Sequence, residues 1–232
     1  MTDTQTPRLR LALFDLDHTL LPLDSDYEWG EFTIRLGWND PVEFARRNDE
    51  FYAHYQAGTL DVHDYVRFAT EAVRLRGPEA AAAAHAQFMR EVIAPAIRPQ
   101  ALDLIRQHQA AGEQVLIVTA TNEFVTRPIA QALGVQELLA MQLARDASGW
   151  YTGAIQGTPT MREGKVQRME EWLSAHGLRW ADVESTFYSD SMNDVPLLER
   201  VDHPVATNPD ARLRALAQER GWRLLDLFSA HP

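Results

Sequence analysis

Apolar and polar positions along the chain follow two different rhythms. Leu9 to Phe14 is a short apolar run that stops at Asp15. Its length and polar boundaries predict a strand buried on both faces. Residues 1–7 before it read as a loose polar tail. From Asp24 to about Val92 the rhythm is helical. Asp24 or Ser25 is placed to cap a helix carrying Trp29, Phe32, Ile34 and Leu36. Asn39-Asp40-Pro41 ends that helix and starts another, with proline at its first position. Phe44, Phe51, Tyr52 and Tyr55 then recur at about helical spacing until Gly58. Asp61 opens a third helix through Tyr65, Phe68 and Val73, which Gly77-Pro78 breaks. An alanine-rich helix follows to Ile93, and Pro95 and Pro99 mark a boundary.

Beyond Pro99 short apolar runs alternate with amphipathic stretches. Helices are expected over 101–111, 123–133 and 163–176, closed by Gly112, Gly134 and Gly177. Strands are expected at Val115–Val118, ending at Thr119, at Glu137–Met141, at Ser185–Tyr188, and at His203–Ala206. Asp210 to Arg220 reads as a final surface helix. Residues 142–160 gather Asp146, Ser148, Gly149, Gly153 and Gly157 around Trp150 and Tyr151, a hairpin pattern. That hairpin either covers a site as a flap or packs its aromatics on a neighbouring helix. Strand–helix alternation implies parallel pairing, so the fold class is α/β with a doubly wound parallel sheet. The helical stretch after the first strand reads as an inserted cap. The expected division is a core of residues 1–22 and 95–232 and a helical cap of residues 23–94.

Composition narrows the function. The 232-residue chain is 45% hydrophobic and 24% charged, and its formal net charge is −11. Nucleic-acid binding needs many Lys and Arg facing phosphates, so nucleic acid is an unsuitable partner. The absence of cysteine excludes disulfides, thiolate metal sites and cysteine nucleophiles. No stretch approaches the roughly 18 apolar residues that span a membrane. A cytoplasmic protein, monomeric or homodimeric, is the expectation.

Asp15, Thr119 and Asp190 each end an expected strand, and Lys165 begins a helix. In an open parallel sheet, ligands bind outside the carboxyl ends of the strands, so these distant residues can meet at one rim. Asp15 and Asp17 lie two residues apart, and Asp190 and Asp194 follow another strand. Four carboxylates facing one spot repel unless a cation lies between them. Oxygen-only ligands suit a hard ion, Mg²⁺ in particular. Thr119 and Lys165 supply the hydroxyl and the positive charge that phosphoryl transfer needs.

The motifs Leu13-Phe14-Asp15-Leu16-Asp17-His18-Thr19-Leu20, Val118-Thr119-Ala120-Thr121, Gly164-Lys165 and Ser189-Asp190-Ser191-Met192-Asn193-Asp194 occur in an order that resembles the haloacid dehalogenase superfamily, in its phosphatase branch. That resemblance implies a Mg²⁺-dependent phosphatase for a small phosphorylated metabolite. It implies Asp15 as nucleophile and Asp17 as general acid and base. It assigns the metal to Asp15, Asp17, Asp190 and Asp194, through the backbone carbonyl in the case of Asp17, with Asp194 orienting Lys165 or a metal-bound water. Thr119, Ala120 and Lys165 would bind phosphate, and Asn193 the substrate. His18 is expected to point away.

The cap's position is similar to that of the phosphoserine-phosphatase-like subgroup, whose members carry an acidic residue about nine positions after the nucleophile that contacts the substrate's amino group. Here that position is Asp24, followed by Asp26, Glu28 and Glu31. The same acids equally suit a helix N-terminus. The run Asp24 to Phe32 is similar to a bacterial branch that includes histidinol-phosphate phosphatases, so the expected substrates are histidinol phosphate or a related amine, then phosphoserine. Arg46, Arg47 and Arg67 are the cap cations available to a carboxylate. A receiver domain would also gather acids, Thr and Lys on a parallel sheet, but at about half this length and with no helical cap. A nicotinamide enzyme would need a glycine fingerprint after the first strand. A non-catalytic binding protein would have no reason to keep these carboxylates together.

Overall fold

Strand β1 (Leu9–Phe14) forms the centre of the sheet because four consecutive residues, Leu11 to Phe14, are wholly buried. It pairs in parallel with β2 (Gln114–Asn122) on one side and β6 (Val183–Ser189) on the other. The order β3-β2-β1-β6-β7-β8 is completed by β3 (Glu137–Met141), β7 (His203–Thr207) and β8 (Arg223–Leu225), and every pairing is parallel. The computed structural model describes residues 8–57 and 59–228. The expected polar tail, the helix stop at Gly58 and the side chain of Tyr55 lie outside the described residues.

Period-two alternation divides the strands between two apolar layers. Phe14, Ile117, Tyr188 and Val205 face one layer, with Leu104 and Ile105 of α6 (Pro99–Ala110) and Val125 and Ile129 of α7 (Glu123–Ala132). Leu13, Leu116, Phe187 and Ala206 face the other. There they meet Met169 and Leu173 of α8 (Glu163–Ala175), Leu197 of α9 (Val195–Leu198) and Leu213 of α10 (Ala211–Arg220). The sheet is therefore covered by helices on both faces, a doubly wound α/β core.

The helical insertion begins with α1 (Ser25–Arg35), capped by Asp24, whose Oδ1 accepts the amides of Asp26 and Tyr27. Asp40 caps α2 (Pro41–Ala57) in the same way, and Asp61 caps α3 (Val62–Ala69). The third helix ends at Thr70 rather than running through Val73, because the Thr70 hydroxyl bonds back to Val66 O at 2.7 Å. Next comes α4 (Glu71–Phe88), kinked at Gly77, where φ is +76°. A π-helical turn, Met89–Ile93, and α5 (Ala94–Ala96) lead back to the core. Trp29, Phe32, Val66, Val73 and Phe88 join the same apolar layer as Phe14, so the insertion shares a core with the sheet.

The hairpin β4 (Leu143–Arg145) and β5 (Tyr151–Ile155) is antiparallel. Trp150 Nε1 donates to Arg74 O on α4 at 3.3 Å, and Tyr151 sits edge-on to Phe124 on α7. Its aromatics therefore pack on neighbouring helices. Two further expectations change. The second strand continues past Thr119 to Asn122, with irregular pairing between Val118 and Asn122. The sheet also has a sixth strand, β8, which only three residues form. Among the described residues, no helix is long and apolar enough to cross a membrane.

Phe14 stacks on Tyr188 with ring centroids 4.7 Å apart, at the meeting point of β1, β6 and α6. Phe14→Ala should cost about 3–5 kcal/mol of unfolding free energy. Urea denaturation followed by circular dichroism reads this directly; a loss under about 1 kcal/mol would contradict the packing described.

Candidate active site

The site starts where β1 runs out. The Asp15 amide donates to Tyr188 O at 2.9 Å, which extends the pairing by one residue and fixes the Asp15 backbone. The register puts Asp15 level with Val118 on one side and Ser189 on the other. Thr119 and Asp190 thus stand one residue further along the two flanking strands. Lys165 reaches the same point from α8. Its Nζ donates to Asp15 Oδ1 at 2.9 Å and to Asp194 Oδ2 at 2.7 Å. The ammonium is 2% exposed and Asp194 equally so. Ser189 Oγ adds a 2.7 Å bond to Asp194 Oδ2. Asp15 Oδ2 has no hydrogen-bond partner among the described residues.

Asp17 lies in the turn that follows. Its Oδ1 accepts the Ser25 amide at 2.8 Å, and its Oδ2 accepts the Thr121 hydroxyl at 2.8 Å. This carboxylate thereby ties the first-strand loop to the start of α1 and to the end of β2. Asp190 is held from the same loop: Thr19 Oγ1 donates to Asp190 Oδ1 and accepts the Asp190 amide, each at 3.1 Å. His18 is exposed, as expected, with φ +56°. Its carbonyl accepts Asn208 Nδ2 at 2.8 Å, which latches the loop from behind.

Burial dominates the electrostatics. It pushes the Asp17 carboxyl well above its ordinary value, and the nearby charges of Asp24 and Asp15 push in the same direction. Burial, Asp15 and Asp194 raise Asp190 to about 8. Burial raises Asp194 to about 6, against the pull of Lys165. Burial works against the Lys165 charge too, but Asp15 and Asp194 outweigh it and hold the ammonium above the ordinary lysine value. One buried ammonium is set against four carboxylates, so the site is short of positive charge.

The four carboxylates do not face one spot. Asp17 is turned toward α1 and Thr121, and Asp194 is engaged by Lys165 and Ser189. Among the described residues no three His, Asp or Glu groups gather as a metal cage. The physical reason is that each carboxylate takes the nearest donor, and the folded loops supply several. Asp15 and Asp190 remain as neighbouring carboxylates at one rim. Thr119 is buried, and its Oγ1 accepts the Thr121 amide at 3.2 Å, whereas Ala120 is exposed at the rim. Asn193 follows Asp190 in a 3-10 turn, Met192–Asp194, where its Oδ1 accepts Arg162 Nε at 3.2 Å. Asp24 uses only Oδ1 in its capping role, and its charge acts on the neighbouring Asp26 and Tyr65. Tyr65 Oη donates to Asp26 Oδ2 at 2.5 Å, and burial and Asp24 raise Asp26 to about 6. Sequence reasoning missed the roles of Thr19, Thr121, Ser189 and Arg162. Thr19, Thr121 and Ser189 lie inside the motifs, but which hydroxyl meets which carboxylate depends on loop geometry.

A family model of haloacid dehalogenase-like hydrolases matches residues 12–199. The chain belongs to the haloacid dehalogenase-like hydrolases. It is 41% identical over 217 residues to a histidinol-phosphatase of Neisseria meningitidis, spanning 93% of this chain and 98% of that protein. It is 33% identical over 222 residues to a phosphoserine phosphatase of Mycobacterium tuberculosis, across 93% of this chain and 70% of that protein. A solved structure of a Bordetella pertussis Tohama I protein of unknown function superposes with a TM-score of 0.90 at 52% identity, covering 96% of this chain and all of that one. A substrate-bound phosphoserine phosphatase shares the fold at a TM-score of 0.63 and 17% identity, over 95% of this chain and 94% of that chain. This hydrolase therefore carries its Asp15, Asp17, Lys165, Asp190 and Asp194 on the family's own fold.

Raised carboxyl pKa values fix the sign of a pH effect. At Asp190 and Asp194 the folded hydrolase, free of metal, holds protons that the unfolded chain has lost between about pH 4 and pH 8. The stability these two groups contribute is fully present below the ordinary carboxylate pKa and is lost as pH rises through about 6 for Asp194 and about 8 for Asp190. Thermal melts in chelator should show the melting temperature falling from pH 5 to pH 8. A melting temperature that rose over this range would contradict the assignment.

Proposed function

We propose that this phosphatase hydrolyses the phosphate monoester of a small cationic amine, histidinol phosphate first, through an aspartyl-phosphate on Asp15. The observation that carries this reading is the Asp15 carboxylate, pinned through Oδ1 by a buried lysine while Oδ2 is left without a partner among the described residues. A fixed carboxylate with one free oxygen is a positioned nucleophile.

Asp15 Oδ2 attacks phosphorus, and the bond to the leaving alcohol oxygen breaks. Asp17 gives that oxygen a proton, and burial, which raises its pKa, favours the protonated acid that this step needs. Asp17 then takes a proton from water as the water attacks the phosphoryl group, and the Asp15 carboxylate is regenerated. Thr121 and the Ser25 amide keep the Asp17 carboxyl at its post through both steps. Lys165, the Thr119 hydroxyl and the backbone at Ala120 support the phosphoryl oxygens.

The donor set fits Mg²⁺. Oxygen ligands alone are present, and Mg²⁺ is usually held by one or two carboxylates with several waters rather than by an all-protein cage. Asp15, Asp190 and the Asp17 backbone carbonyl would hold it, with Asp194 orienting Lys165. Bound there, the ion supplies the positive charge that the carboxylate excess lacks.

Residues 23–94 act in this reading as the cap that selects the substrate over a core of residues 1–22 and 95–232. Asp24 and Asp26 line one acidic cluster beside Asp17, which suits a cationic leaving group. The likeness to the Neisseria histidinol-phosphatase over nearly its whole length supports the same choice. Phosphoserine is the second reading, favoured by the Mycobacterium relative. It needs a cation for its carboxylate. The cap arginines are already engaged: Arg46 pairs with Glu43 and Glu50, Arg47 with Glu71 and the Phe68 ring, and Arg67 with Asp64.

Asp15→Asn should lower turnover below about one per cent while leaving the circular dichroism spectrum and the melt intact, and excess chelator should stop the wild type. Residual turnover above a few per cent in the variant, or full rate in chelator, argues against the scheme. In a panel of phosphorylated metabolites, histidinol phosphate should be preferred, and Asp24→Asn should raise its KM about tenfold while sparing para-nitrophenyl phosphate. Sugar phosphates outrunning both amines would defeat the substrate assignment.

A further inference from the structure

Lys165 is neutralised before any substrate arrives, because it lies between Asp15 and Asp194. A phosphoryl dianion entering beside these carboxylates therefore needs positive charge beyond that lysine. Arg162, three residues earlier, is a second cation at the same rim. Its Nε donates to Asn193 Oδ1 at 3.2 Å, so the guanidinium is oriented by a neutral amide. Its two Nη groups have no hydrogen bond or ion pair among the described residues. Three other arginines are spent differently: Arg145 pairs with Glu123 at 3.4 Å, Arg168 with Glu171 at 2.7 Å and Arg220 with Glu199 at 2.8 Å. Arg162 is held in place with its charge uncancelled, the arrangement that suits an incoming anion.

The backbone points the same way. Arg162 has φ +52° and ψ −124°, a region that glycine adopts freely and a long side chain rarely does. His18 and Asn208 are the other described non-glycine residues at positive φ. Asn208 belongs to a type that tolerates it, and its side chain serves as the latch on the first-strand loop. Arg162 has no such local bond. Its conformation is imposed by a closed corner: the Gly164 amide bonds Met161 O, the Lys165 amide bonds Arg162 O, and a Cβ on Gly164 would lie 1.9 Å from Pro159 O. The corner sends Lys165 inward to Asp15 and Arg162 across to the turn that follows Asp190.

We propose that Arg162 binds the phosphoryl oxygens of the substrate through its Nη groups, as the second cation beside Lys165, with Asn193 as the residue that orients it. The assignment rests on the phosphatase reading above and adds a substrate-binding residue to it. Bidentate contact to two equatorial oxygens would fit the planar guanidinium. In this scheme Lys165 serves both nucleophile and phosphate, whereas Arg162 serves the phosphate alone.

Inorganic phosphate, which lacks any leaving group, tests this directly. The full chain with Mg²⁺ would be assayed on para-nitrophenyl phosphate, with Ki for phosphate measured in wild type, Arg162→Gly and Arg162→Asn. Both replacements accept positive φ, so the corner keeps its backbone, and thermal melts check that it does. Ki and KM should each rise at least tenfold in both variants. Asn193→Ala should give a smaller rise that does not add to that of Arg162→Gly. A Ki within twofold of wild type in a variant that melts normally would overturn the proposal. So would a fall in kcat at unchanged Ki, which would make Arg162 a support of the Lys165 corner only. Either outcome leaves the Asp15 scheme standing, since that is judged by Asp15→Asn.

Discussion

A single buried ammonium holds this site together. Lys165 bonds Asp15 and Asp194 at 2.9 and 2.7 Å, and so joins three segments that are far apart in the chain: the end of β1, the start of α8 and the turn after β6. A charge so deeply buried is tolerated only because both partners are charged and a hydroxyl, Ser189 Oγ, completes the set. Remove the lysine and two buried carboxylates are left without their counter-charge. The rest of the architecture can be read as what it takes to bring these groups to one place: a six-stranded parallel sheet whose central strand is apolar throughout its second half, with Asp15 as the first polar residue beyond it.

The excess of carboxylate over ammonium is the site's second constraint. Asp17, Asp190 and Asp194 all have pKa values raised first by burial, so the folded protein holds them ionised only at a cost in stability. Hydroxyl and amide donors lower that cost: Thr19 for Asp190, Thr121 and the Ser25 amide for Asp17. In the proposed scheme a divalent cation and a phosphate-binding arginine would supply opposite halves of what remains, the first against the carboxylates and the second against the substrate. In the same scheme the acids Asp24 and Asp26 would extend the negative field toward a positively charged leaving group.

Much of this was legible in the chain itself. The strand Leu9–Phe14 ending at Asp15 is legible because Leu11–Phe14 is an unbroken apolar run, and the helix starts at Asp24, Asp40 and Asp61 are true caps. Strand β8 was not legible, since Arg223–Leu225 is too short to show a period and pairs only because β7 already presents an edge. The end of β2 was placed too early because Thr119, Thr121 and Asn122 look like loop residues, yet each finds a side-chain bond at the end of that strand. The site residues were legible as types at spacings. Their division of labour was not: whether Asp17 turns to a metal or to Thr121 depends on where β2 ends. Arg162 left no trace in pattern at all, because its signal is a backbone angle.

The central claim is that Asp15 becomes covalently phosphorylated. Peptide mass spectrometry on enzyme acid-quenched during steady-state turnover of histidinol phosphate tests it most directly. The account predicts a phosphate on the peptide containing Asp15, lost on mild alkaline treatment as an acyl phosphate is. Phosphate on a different residue, or none on any peptide while turnover proceeds, would contradict it.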